Sequence, residues 1–90
     1  MLKWRILRTK RYIRAFKKLP PDKQERVRRA EIELASSDDP RRLGHPLKGR
    51  WRGAYAYHVE RNLIIIYSVR FKALILELIQ LGTHKNYYRW

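Results

Sequence analysis

The chain has 90 residues, with 22 Lys and Arg against eight Asp and Glu and a formal net charge of +14. That length predicts one domain over residues 1–90 with one modest core, and the ordinary hydrophobic fraction of 44% excludes disorder as the reason for the charge. Lacking cysteine, the chain has no disulfide, thiolate catalyst or sulfur-ligated metal, and no apolar run is long enough to span a bilayer.

Leu2, Trp4 and Ile6 alternate with Lys3, Arg5 and Leu7, which predicts a first strand with one face buried. Thr9 then suits a helix N-cap, and Tyr12, Ile13, Phe16 and Leu19 recur at helical spacing, with Tyr12, Phe16 and Leu19 read as core. Pro20-Pro21 ends that helix and opens another, because proline fits a first turn but breaks an interior. Val27, Ala30 and Leu34 form the thin apolar stripe of the second helix, and the short link predicts a helical hairpin. Ser36-Ser37-Asp38-Asp39-Pro40 is a break, followed by a basic loop from Arg41 to Arg50.

From Trp51 the period changes to two. Strands are expected over Ala54–Val59, Leu63–Val69 and Ala73–Leu81, with links short enough for antiparallel hairpins. Leu63-Ile64-Ile65-Ile66-Tyr67 is apolar on both faces, as a central strand is. The expected fold is α+β: a strand, a two-helix hairpin and a three-stranded antiparallel meander, making a four-stranded sheet with helices on one face.

The positive charge points to a polyanionic partner. Metal-dependent nucleases gather several carboxylates, yet here Asp38 and Asp39 fall in a loop, Glu31 and Glu33 point to different sides of a helix, and Glu60 and Glu77 lie in different strands. No phosphate-binding loop, dinucleotide glycine pattern or zinc helix is present. Neither a metal nor another cofactor is expected. Metal-free cleavage is practicable on RNA, where the 2′-hydroxyl is an internal nucleophile and the enzyme supplies a base, an acid and cations. The three histidines, His45, His58 and His84, suit the proton roles.

His45-Pro46-Leu47-Lys48-Gly49, Trp51-Arg52-Gly53, Tyr57-His58-Val59-Glu60, Ile64-Ile65-Ile66-Tyr67 and Gly82-Thr83-His84 together resemble the RelE/ParE toxin superfamily, and most closely its YafQ-type mRNA interferase branch. The resemblance implies a metal-independent endoribonuclease of a type II toxin–antitoxin system. It would act in the cytoplasm, without a membrane, cutting mRNA in the A site of the small ribosomal subunit and neutralised by a co-encoded antitoxin. It implies catalytic roles for His45, His58 and His84, and a substrate-stacking or orienting role for Tyr88. Ala56, Asn62 and Ile64 depart from charged positions of its relatives, which leaves open whether His45 or His58 is the base.

Lys48, Arg50, Arg52, Arg61 and Lys85 flank the histidines and are read as RNA-phosphate contacts. Arg26, Arg28 and Arg29 fit diffuse binding of ribosomal RNA, whereas Trp51, Tyr55 and Tyr57 are read as packing residues. Two alternatives share this composition: a ParE-like toxin that inhibits DNA gyrase, and a non-catalytic RNA-binding module.

Overall fold

Thr9 and Pro21 punctuate the first half of the chain as their chemistry requires. In the computed structural model, which describes residues 2–83, β1 (Arg5–Arg8) leads into α1 (Lys10–Lys17) through Thr9. The Thr9 hydroxyl accepts from the Tyr12 amide at 3.1 Å and donates to the Ile79 carbonyl at 2.6 Å, so one side chain caps the helix and ties it to the sheet. Pro21 opens α2 (Pro21–Ser36) at a position where no amide hydrogen is needed. No helix among the described residues is long and apolar enough to cross a membrane.

After α2 come a 3₁₀ turn (Pro40–Arg42), β2 (His45–Pro46), a second 3₁₀ turn (Gly49–Trp51) and the strands β3 (Tyr55–Glu60), β4 (Leu63–Arg70) and β5 (Ile75–Gly82). The sheet order is β1-β5-β4-β3-β2, with β1 parallel to β5 and the other neighbours antiparallel. The α+β class and the meander are as expected, with β4 at the centre.

Two expectations need correction. The sheet has five strands rather than four, because His45 and Pro46 pair with Ala56 and Tyr55 inside what reads as a basic loop. Two residues carry no periodicity, and proline is tolerated there because β2 is an edge strand. The first strand also begins at Arg5 rather than Leu2. The Lys3 and Trp4 amides instead donate to the Ala35 carbonyl at 2.7 and 3.0 Å, and the Trp4 indole donates to Ser37 O at 2.8 Å. This segment therefore satisfies the end of α2, where helix carbonyls lack intrahelical partners.

The main core lies between the helices and one sheet face. It contains Trp4, Tyr12, Val27, Ala30, Leu34, Leu63, Ile65, Tyr67, Leu76 and Leu78. Phe16, Leu19, Tyr55 and Tyr57 pack on it half-buried, while Trp51 packs on the opposite face. Glu31 is also buried: Tyr12 Oη donates to its Oε2 at 2.6 Å and Arg8 Nη2 to its Oε1 at 2.6 Å. The hydrogen bond to Glu31 raises the Arg8 pKa, and burial raises that of Tyr12.

Candidate active site

Alternation along β3 turns Ala54, Ala56 and His58 away from the helices, onto the face where a smaller cluster of Leu47, Ala54, Ala56, Ile64 and Ile66 is buried. His45 pairs with Ala56 in the antiparallel ladder and so shares that face. The result is a diagonal pair across β2 and β3: the His45 and His58 rings lie 5.3 Å apart at 36°. Both side chains are exposed above a floor of buried alanine and isoleucine.

Gly44 makes this pairing possible. A Cβ there would lie 2.4 Å from Tyr67 Oη and 2.6 Å from Ala56 O, closer than real contacts allow. Only glycine lets the chain entering β2 lie this close to its neighbours. Tyr67 Oη donates to Pro40 O at 2.7 Å, so the same phenol anchors the segment leading to His45. Burial and the neighbouring Tyr55 raise the Tyr67 pKa, keeping it a neutral donor.

Beyond β2, Leu47 and Trp51 pack on the floor while Lys48, Arg50 and Arg52 stay exposed. Gly49 takes φ +65 with open space around its missing Cβ, so backbone conformation rather than crowding selects glycine there. The loop is thus anchored to the floor through its apolar residues and leaves its cations exposed. Arg61 lies in the exposed β3–β4 turn. Across the sheet, His58 pairs with Ile64 and Ile64 with Gly82, so β5 ends in the register row of His58. His84, Lys85 and Tyr88 lie outside the described residues.

The helical cations read as diffuse RNA contacts all have internal partners. Arg26 pairs with Glu60, Arg29 with Glu25 at 3.3 Å, and Arg28 lies over the Phe16 ring, 5.2 Å from its centre. Arg11, Arg14 and Lys18, by contrast, line a groove between α1 and the end of β5 together with Arg50. The signal for them was present as spacings of three and four, which align on one helix side, but the apolar positions dominated the reading of α1.

A family model describing the bacterial toxin of type II toxin–antitoxin systems, YafQ, matches residues 5–89. The chain belongs to the YafQ toxin family. The fold agrees with solved structures of the wider RelE superfamily. The archaeal RelE–RelB complex from Pyrococcus horikoshii OT3 gives a TM-score of 0.74 at 22% identity, covering 91% of this chain and 96% of that one. The RelBE2 toxin–antitoxin complex from Mycobacterium tuberculosis gives 0.69 at 22% identity, with 93% and 94% covered. A histidine-to-glutamine mutant of YafQ from E. coli gives 0.66 at 22% identity, with 94% and 98% covered. No curated protein matches the chain in sequence. The chain is thus a RelE/YafQ-type toxin of a type II toxin–antitoxin system.

Proposed function

We propose that this YafQ-family toxin is a metal-independent endoribonuclease that cleaves mRNA in the ribosomal A site, acting in the cytoplasm and neutralised by a co-encoded antitoxin. The observation that carries this reading is the exposed His45–His58 pair, with rings 5.3 Å apart on the face that the helices leave open. An RNA 2′-hydroxyl needs only a base within hydrogen-bond reach and an acid for the departing 5′-oxygen. One of His45 and His58 removes the 2′-OH proton, the 2′-oxygen attacks the adjacent phosphorus, and His84 protonates the leaving oxygen. Lys48, Arg50 or Arg52 stabilises the pentacoordinate phosphorane, with Arg61 and Lys85 contacting flanking phosphates and Tyr88 holding the base. The antitoxin assignment draws on the RelBE complexes, in which toxins of this fold are bound to their partners.

Primer-extension mapping of mRNA on programmed ribosomes tests the proposal. The wild type should cut within the A-site codon, and a 2′-deoxy substitution at the cleaved position should abolish the product. His45→Ala and His58→Ala should each slow cleavage by about 10²–10⁴-fold. Wild-type rates in both variants would remove the pair from the chemistry.

A further inference from the structure

Away from the histidine pair, a groove of about 600 Å³ between α1 and the C-terminal end of β5 gathers cations. Arg11, Arg14 and Lys18 project from one side of α1, and Arg50 enters from the loop after β2. The opposite wall consists of Leu63, Gln80, Leu81, Gly82 and Thr83. None of the lining residues is acidic, and none of the four cations forms an ion pair among the described residues. Glu25, Glu31, Asp38, Asp39, Glu60 and Glu77 are paired with other cations elsewhere. Four like charges brought together without a counter-charge repel, a cost that a bound polyanion offsets.

Two features connect this groove to the histidines. Gly82, in its wall, lies in the same register row as His58, two strand spacings or roughly 10 Å across the sheet. Arg50 belongs to the loop whose Leu47 and Trp51 pack on the histidine face, yet its own side chain lines the groove. A strand running from the histidine face into the groove would pass Gly82 and Arg50 at the C-terminal end of β5.

Building on the ribonuclease reading, we propose that this groove is a second phosphate-binding stretch for the substrate: Arg11, Arg14, Lys18 and Arg50 hold the backbone of the single-stranded RNA flanking the cleaved bond. The recognition is of phosphates rather than base edges, because the cations outnumber the neutral hydrogen-bonding side chains Gln80 and Thr83. It contributes affinity and register, leaving sequence choice to other parts of the site.

The test uses the full chain and a fluorescent single-stranded RNA with 2′-O-methyl groups throughout, which binds but has no nucleophile. Anisotropy is measured across a salt series for wild type and for Arg11→Gln/Arg14→Gln/Lys18→Gln. Each lost single-strand phosphate contact should lower the slope of log affinity against log salt by about 0.7, or about 2 in total, making binding about 100-fold weaker near 0.1 M salt. Arg5→Gln/Lys17→Gln/Lys72→Gln removes the same charge from exposed positions outside the groove and should change the slope by less than half as much. Equal slopes for wild type and the groove variant, or an equal fall in the control, would overturn the proposal. If the groove variant loses binding while the wild type fails to cut unmodified mRNA, the groove stands and the ribonuclease reading falls. If wild type cuts and the groove variant binds normally, the reverse holds.

Discussion

The two faces of the sheet come from the same alternating strands but have different covers. Toward the helices, Leu63, Ile65 and Tyr67 of β4 meet Tyr12, Val27 and Leu34, and even a carboxylate is buried there with two donors satisfying it. On the other face, among the described residues, Ile64 and Ile66 pack with small alanines, Ile79, and Leu47 and Trp51 of one loop. The first face carries the stability, and the second is left open for His45 and His58. Truncating an exposed side chain on the second face leaves little cavity, so the proposed catalytic histidines can be replaced with little loss of packing.

Separating rate from stability should break this contrast if it is false. The largest effect should be the loss of cleavage in His45→Ala and His58→Ala, with melting changed by no more than about 0.5 kcal/mol because both side chains are exposed. Leu78→Ala, on the helical face, should do the opposite: about 2–5 kcal/mol of stability lost in denaturant melts, with activity intact in the fraction that stays folded. If His58→Ala melts as Leu78→Ala does, the open face is structural after all.

Gly44→Ala tests a place where the faces are coupled, since its Cβ would strike Tyr67 on one side and the carbonyl of Ala56, the ladder partner of His45, on the other. Overpacking should cost about 1–3 kcal/mol in a thermal melt. A shift of β2 by about 1 Å should also slow cleavage by about 10²-fold. Normal activity in a destabilised Gly44→Ala protein would show that the position of His45 does not matter. Tyr12→Phe removes one donor from buried Glu31 and should cost about 1–3 kcal/mol, read by urea unfolding, without changing kcat.

The smallest effect concerns acid. Hydrogen bonds from Lys23 to Glu60, Lys3 to Asp38 and Arg41 to Asp39 hold these carboxyls below their ordinary values of 4.5, 3.8 and 3.8. A depressed folded pKa means that the unfolded chain binds more protons, so this stability is present above the ordinary value and fades as pH falls below it. Melting temperature should therefore decline below about pH 4.5, and Glu60→Gln should flatten the upper part of that decline. An unchanged acid limb in Glu60→Gln would remove this pair from the account.

Much of this was legible in the chain itself. Thr9 announced the start of α1, the paired prolines separated the helices, and β4 stood out as a strand apolar on both sides. His58 could be placed beside Ala54 and Ala56 by alternation alone. Glu31 was different: position on a helix says which side a residue takes, but not whether Arg8 and Tyr12 arrive there to compensate it. The cations behaved alike in sequence, yet the fold divides them into pairs such as Arg26–Glu60 and a groove set of Arg11, Arg14, Lys18 and Arg50 with no ion pair among the described residues.

The sequence by itself determined the identity and order of the main elements, because helix and strand periods are read over neighbouring residues and caps act within one turn. It also carried the motif by which the histidines resemble those of the toxin family. Only the tertiary structure decided that β1 lies parallel to β5, that two residues with a proline form β2, and that His45 and His58 meet ring to ring. Those outcomes depend on ladder register and on the close approach at Gly44. All join residues distant along the chain, where no local period reports on the pairing.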